Sequence, residues 1–374
     1  MTLDGFERGA RAAGALAFAI EAEGGTIAFS GALEAFGLAG AQMPLSDFIA
    51  RLGPADGEAL RAALASGTID VRIRLLGEDG GLVYARLRGG AAADGRIDGL
   101  MTPAGRSSDA AGRLKEEHAL ADAVEAGDVL AWYQPVIALA DESLAGFEAL
   151  ARWDRPGFGV LSPPDFLAMA SQLDLLGPIS DRVRRSAISD LASWRTAMPA
   201  ANGLFVAANV SLDELISTAF QDAILAHVDA AGLPAGRFKL EVSETDIMRD
   251  PERAAEAMQR LSDGGVALAL DDFGTGYSSL ARLDMLPFDV IKIDQYFVRA
   301  MTANESAATV VQSVLQLASH FGMKVVAEGV ESPQVARQLR DMGCDYAQGY
   351  CYAGALAPAD AAGRIPEGQF TVQA

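Results

Sequence analysis

From residue 130 onward, eight apolar β-type runs alternate with amphipathic stretches, and this rhythm most restricts what the chain can fold into. The runs are AWYQPVIAL, LAGFEALAR, GLFVAANVS, RFKLEVSE, GVALALDDF, FDVIKID, MKVVAEGVE and DYAQGYCY. Segments such as PERAAEAMQRLSDGG and SAATVVQSVLQLASHFG lie between most of them and carry helical periodicity. Alternating strands and helices predict a parallel sheet covered by helices, and eight strands over roughly 230 residues predict a closed (β/α)8 barrel. One connection departs from the pattern. Only ADES and a few flanking residues separate the first two runs, whereas a parallel crossover needs about a dozen or more. The first two strands are therefore expected to form an antiparallel hairpin, which makes a modified α/β TIM barrel.

In such a barrel the reacting groups sit at the C-terminal ends of the strands. Those positions are polar in run after run: Glu148, Asn209, Glu241, Asp271 with Asp272, Lys292 with Asp294, Glu328 with Glu331, and Gln348. A lone acid after a strand is usually a helix cap or a surface turn. A whole set of them, closed by the barrel into one ring, points to a site. Glu148, Asn209, Glu241 and Asp271 offer only oxygen, and hard oxygen donors favour Mg²⁺ or Mn²⁺ over zinc. Histidine is absent from the set, because His118, His227 and His320 all fall in helical stretches. Asp272 points away from Asp271 in a regular strand but at a strand end can reach a second cation, and paired metals suit displacement at phosphorus. Lys292 could orient or deprotonate a water or stabilise phosphate charge, with a salt bridge to Asp294 or a nearby Glu as the plainer alternative. Arg152 could fork onto a phosphate or form a surface ion pair. FGTGYSSL lacks the Gly-Lys-Ser/Thr ending of a nucleotide P-loop, and reads as a mobile loop beside an active-site strand.

The 374 residues carry a formal net charge of −20, which argues against a nucleic-acid polymer as partner. It does not exclude small anionic ligands, since a bound divalent ion reverses the local field. Two cysteines, Cys344 and Cys351, make no disulfide framework and suit a cytoplasmic location. No apolar run approaches the roughly 20 residues of a membrane span, and the N-terminus does not read as a signal peptide.

Residues 1–106 read as a separate small α+β domain with an antiparallel sheet. LAFAIEA, TIAFS, VRIRLL, GLVYARLRG and RIDGLM are its expected strands, LSDFIARL and DGEALRAALA its helices, and GEDGG a hairpin turn. Residues 107–128 open with cap residues and continue with apolar positions at helical spacing (Leu114, Ala119, Leu120, Val124). They predict a linker helix, either a spacer or a carrier of signal, before a catalytic domain at 129–374.

The motifs resemble the EAL-domain family of cyclic di-GMP phosphodiesterases. They are Glu148-Ala149-Leu150 within GFEALARW, YQP at 133–135, NVS at 209–211, LEVSE at 240–244, DDFGTGYSSL at 271–280, KID at 292–294, AEGVE at 327–331 and QGY at 348–350. The resemblance covers roughly residues 128–360. It implies a barrel with an antiparallel first strand and hydrolysis of cyclic di-GMP to linear pGpG with Mg²⁺ or Mn²⁺, two ions in all. It implies Glu148, Asn209, Glu241, Asp271, Asp272 and Glu328 as metal ligands. Lys292, Glu328, Glu331 and Glu244 form the implied catalytic set. Lys292 contacts the catalytic water as base or orienter, and Glu244 holds the glycine loop at a dimer interface. Gln134, Leu150, Arg152, Asp294 and Gln348 are the implied substrate contacts.

Family members that have lost catalysis act as cyclic di-GMP receptors through protein partners, so that alternative stands beside the enzyme. No position in the sets above is lost here. SQLDLLGPIS and AGALAP depart from the family pattern away from the metal positions. Residues 1–106 are similar to a PAS sensor domain in layout. They contain neither histidine nor cysteine, which disfavours histidine-ligated haem and cysteinyl-flavin chemistry and leaves the ligand of that domain open.

Overall fold

The structure is a computed structural model and describes residues 14–21, 25–78, 80–92, 96–107, 110–274 and 286–366. The chain divides into two compact units, residues 1–127 with 166–175, and residues 128–165 with 176–374.

The first unit is a six-stranded antiparallel sheet. Its strands are β1 (Leu16–Ile20), β2 (Thr26–Gly31), β3 (Gln42–Pro44), β4 (Thr68–Leu76), β5 (Leu82–Ala91) and β6 (Ile97–Ser107), in the order β3-β2-β1-β6-β5-β4. Helices α1 (Leu45–Ile49), α2 (Pro54–Ser66) and α3 (Ala110–Ala126) complete it. Strand alternation decides which face is buried. Ile69, Ile73 and Leu75 of β4 join Phe18, Phe29, Phe36 and Phe48 in one core, while Asp70 and Arg72 face outward. The GEDGG turn closes with Gly77 N–H donating to the Gly81 carbonyl at 2.8 Å. Arg74 of β4 donates to Asp56 of α2 and to the buried Glu117 of α3, each at 2.8 Å. The guanidinium thus compensates a carboxylate that would be costly to bury alone.

The second unit contains the barrel. Its strands are β7 (Val129–Ala138), β8 (Ser143–Arg155), β9 (Gly159–Leu161), β10 (Phe205–Asn209), β11 (Phe238–Ser243), β12 (Ala267–Phe273), β13 (Val290–Ile293), β14 (Lys324–Ala327) and β15 (Tyr346–Ala347). Parallel pairing runs β8-β10-β11-β12-β13-β14-β15, and β7 closes the circle antiparallel to both β15 and β8. The short β7–β8 connection makes the hairpin that its length requires. β9, which no sequence pattern marked, adds to the edge of β8.

Helix α4 (Pro163–Gln172) lies mostly in the segment that belongs to the first unit, and α5 (Leu176–Ala197), α6 (Leu212–Leu215), α7 (Thr218–Ala230), α8 (Glu244–Ile247), α9 (Pro251–Asp263), α10 (Gln295–Ala300), α11 (Glu305–Phe321), α12 (Pro333–Asp341) and α13 (Pro358–Arg364) follow in the second. Several start on side-chain caps: Asp250 for α9, Asn304 for α11 and Ser332 for α12, with proline in the first turn of α9 and α12. Apolar faces of the helices and the outward residues of the strands form one large core.

The strand period of two then places the site. Val136, Phe205, Ala269, Val290 and Val326 form a small apolar layer, with Tyr346 packed against it. Two residues further along a strand, the same face returns. From Ala269, Val290, Val326 and Tyr346 that step reaches Asp271, Lys292, Glu328 and Gln348. β7 runs the other way, so its contribution, Gln134, lies two residues before Val136. One alternation thus builds an apolar floor and a polar ring above it.

Closure of the barrel between β8 and β10 depends on Gly146, which pairs with Phe205. A Cβ at Gly146 would lie 2.5 Å from the Phe205 carbonyl oxygen and 2.7 Å from its ring. The Gly146→Ala variant is expected to lose roughly 1–3 kcal/mol of stability through overpacking at this seam. Denaturant unfolding tests it, and an unchanged midpoint would contradict the close approach.

Candidate active site

The ring at the C-terminal ends of the strands is organised by one ammonium group. Lys292 Nζ lies 2.6 Å from Glu328 Oε1, 2.7 Å from Glu241 Oε2, 3.2 Å from Asp271 Oδ1 and 3.3 Å from Glu148 Oε2. The lysine is only 2% exposed. Burial disfavours its charge, but Asp271, Glu148, Glu241 and Glu328 outweigh that and hold it well above the ordinary lysine value. Lys292 is therefore a proton donor in this arrangement and does not pair with Asp294.

The carboxylates share that cation unequally. Glu148 accepts from Lys292, from Gln348 Nε2 at 2.6 Å and from Asn209 Nδ2 at 3.3 Å. Burial opposes its ionisation, but Lys292 and these hydrogen bonds win and lower its pKa. Among the described residues Glu241 has only the lysine bond, and burial together with Glu148 pushes it well above the usual carboxylate value. Burial, opposed by Lys292 and reinforced by Asp271 and Glu148, raises Glu328 to about 7. Asp272 is also raised, first by burial and then by Asp271 and Asp294.

Adjacent acids in a regular strand face opposite ways. Here Asp272 adopts φ 56°, in the left-handed region that Asp tolerates better than most residues. The pairing of β12 with β13 shifts register between Leu270 and Phe273. The kink brings ligand oxygens of Asp271, Asp272 and Glu328 within 4.8 Å of one another.

These residues fit a divalent cation. Glu148, Glu241, Asp271, Asp272 and Glu328 set five carboxylates around one ammonium, and burial first, then the neighbouring acids, raises the proton affinity of three of the five. The donor set is all oxygen, with Asn209 beside Glu148 and in register with Glu241. The side-chain carbonyl oxygen of Gln348 is buried and has no hydrogen-bond partner among the described residues.

A cleft of about 260 Å³ opens above the ring. Gln134, Glu148, Leu150, Asp271, Lys292, Glu328 and Gln348 line it, so half of the residues singled out in the sequence meet there. Arg152 is half-buried beside it, donating to the Ala151 carbonyl, and close enough to Tyr350 and Glu148 to interact electrostatically. Glu244 lies outside the ring, buried, with Oε2 accepting from Gly274 N–H at 3.3 Å. The remainder of the glycine loop, residues 275–280, lies outside the described residues. Asp294 caps α10 by accepting from Tyr296 N–H at 2.8 Å. Glu331 does not reach the ring; it pairs with Arg299 at 2.6 Å, half exposed.

The same cleft includes Gln295, Arg299 and Tyr350, which lie beyond the strand ends. The first two lie on α10, directly after KID, and a search extended to the first turns after each strand finds them. Tyr350 follows QG and is 71% exposed. Lys239, one step below Glu241 on the same strand face, has its ammonium 4.7 Å from the centre of the Phe205 ring. A basic residue two before a strand-end acid was its only signal.

Residues 117–355 match the family model described as EAL domain. The cyclic di-GMP phosphodiesterase NbdA of Pseudomonas aeruginosa is 36% identical over 243 residues, covering 65% of this chain and 31% of that protein. An uncharacterized signaling protein of Caulobacter vibrioides is 38% identical over 234 residues, covering 63% of this chain and 28% of that protein. The chain spans about a third of the length of the curated relatives it matches. Among solved structures, the PaMucR phosphodiesterase in complex with c-di-GMP is 30% identical with a TM-score of 0.62, covering 65% of this chain and 98% of that one. The EAL domain of Mycobacterium smegmatis DcpA is 30% identical with a TM-score of 0.57, covering 65% and 100%. With motifs, barrel topology and the strand-end ring in agreement with these matches, the chain belongs to the EAL-domain family.

Proposed function

We propose that the barrel hydrolyses cyclic di-GMP to linear 5′-pGpG in a metal-dependent reaction. The observation that carries this reading is the single buried ammonium of Lys292 among four carboxylates at the strand ends. A nucleotide carrying two phosphodiester monoanions cannot approach such a mouth without added positive charge. Mg²⁺ or Mn²⁺, held by Glu148, Asn209, Glu241, Asp271, Asp272 and Glu328 in two sites, would neutralise the acids and polarise the phosphate. The names of NbdA and PaMucR, both phosphodiesterases, support the reaction class.

In the reaction, water adds to one phosphorus and one P–O3′ bond breaks, leaving a 5′-phosphate and a free 3′-hydroxyl. Lys292, held as an ammonium, orients the water and stabilises charge on a phosphate oxygen. Gln134, Leu150 and Gln348 line the cleft beside the carboxylates and would contact the nucleotide. Arg152 and Arg299 offer forks for the second phosphate, and the exposed ring of Tyr350 offers a stacking face for a guanine. Glu244 positions the start of the glycine loop through Gly274. The first unit is read as a PAS-like regulatory domain, a reading supported by its antiparallel sheet and the strand order β3-β2-β1-β6-β5-β4.

Purified protein with Mg²⁺ or Mn²⁺ is expected to convert cyclic di-GMP to pGpG, and EDTA to abolish turnover. The Glu148→Ala variant is expected to lose at least about a hundredfold in turnover, since even partners behind a metal ligand cost 10–100-fold when removed, yet to keep most nucleotide binding. Nucleotide binding with no pGpG under either metal would show a receptor instead.

The raised proton affinity of Glu328 gives a second expectation. A proton occupies a carboxylate of pKa about 7 increasingly as the pH falls through 7, and it competes with the cation. The Mn²⁺ concentration for half-maximal turnover should rise as pH drops from 8 to 6, by up to about tenfold per unit for one competing proton. A requirement independent of pH over this range would remove Glu328 from the ligand set.

A further inference from the structure

Arg184 of α5 is 1% exposed, in a helix whose neighbouring buried positions are Val183, Ala187, Ile188 and Leu191. An apolar residue would suit such a position, and a buried guanidinium costs several kcal/mol of desolvation unless well paired. The pairing is directed at one place. Nη1 donates to the Asn209 backbone carbonyl at 3.0 Å, and Nη1 and Nη2 donate to the two oxygens of Glu214 at 3.3 and 2.5 Å. The guanidinium also stacks on Phe220, with Cζ 4.8 Å from the ring centre.

Glu214 in turn closes the turn that follows β10. It accepts from Ser211 N–H at 3.2 Å and Ser211 Oγ–H at 3.0 Å, and Glu214 N–H donates to Ser211 Oγ, a complete capping box for α6. One cation therefore grips both ends of the segment Asn209–Glu214.

That grip matters because Asn209 itself has little else to hold its side chain. Asn209 is exposed, and the only side-chain bond it makes among the described residues is to Glu148 at 3.3 Å. Its backbone is held on the sheet side through β11, where the Val210 N–H donates to the Glu241 carbonyl at 2.8 Å. Arg184 supplies the restraint on the other side, at the carbonyl of the same residue.

We propose that Arg184, with Glu214, is a positioning residue that sets the orientation of Asn209 toward the metal site. It touches neither metal nor nucleotide, and acts by fixing the peptide from which the Asn209 amide projects. The inference rests on the metal-dependent reading above and concerns how tightly this chain holds its ions. It accounts for a charge retained in an otherwise apolar helix face, which packing alone does not.

The test reads cation binding directly, by Mn²⁺ titration followed by electron paramagnetic resonance, together with turnover and thermal unfolding. Arg184→Met is expected to weaken Mn²⁺ binding by roughly 10–100-fold, the usual effect of removing a group behind a ligand, with turnover recovering at high Mn²⁺. Arg184→Lys, which can still donate to the Asn209 carbonyl, should restore part of the affinity. Glu214→Gln keeps the shape of the turn while weakening the pair, and should show an intermediate loss; it carries the test if Arg184→Met does not fold. A folded Arg184→Met or Glu214→Gln protein that melts earlier but binds Mn²⁺ like wild type would overturn the proposal and leave Arg184 a packing residue. Failure of the wild-type protein itself to bind Mn²⁺ would overturn the metal reading and this inference together.

Discussion

The ammonium of Lys292 is the interaction on which the active end of the barrel depends. Four carboxylates from four different strands converge within 3.3 Å of it. Removing one partner of a buried, paired charge leaves the others uncompensated, at a cost of about 3–5 kcal/mol. The cluster is also unbalanced by design, since one cation faces five acids. The balance differs by residue: Glu148, with three donors, stays ionised, while Glu241 with one does not hold its charge as readily. A site that favours added positive charge follows from this count without reference to any relative.

Delivering those side chains to one place is the work of the barrel. Period-two alternation puts an apolar layer under the ring, and the antiparallel β7 inverts the order so that Gln134 precedes Val136 and still joins it. Two backbone features complete the arrangement. Gly146 lets β8 approach β10 closely enough to close the barrel, and the left-handed Asp272 turns a second acid toward the first. Arg184 adds a buried anchor behind the Asn209 turn.

Much of this was legible in the residues. Eight strand runs, their polar ends and the short first connection led to the barrel, the hairpin and the ring, because each follows from local spacing. What escaped the reading depends on conformation or on distant partners. The facing of Asp272 needed a positive φ that no residue type declares. β15 spans only Tyr346–Ala347, so DYAQGYCY looked like a longer strand than it is. Glu331 follows a strand like the others, yet its carboxylate is drawn to Arg299 and out of the ring. Asp294, expected at the substrate, has an oxygen committed to the first turn of α10. Arg184 was invisible for the opposite reason: in a helical stretch an arginine reads as surface, and only the fold shows it inside.

The central claim is that the strand-end acids hold catalytic metal around the reach of Lys292. The most direct measurement is anomalous scattering at the manganese edge from crystals grown with Mn²⁺ and cyclic di-GMP. The account predicts peaks at the mouth of the barrel, ligated by Asp271, Asp272 and Glu328 on one side and by Glu148, Asn209 and Glu241 on the other, beside a phosphate of the nucleotide. Clear density for the nucleotide with no manganese among these residues would contradict it.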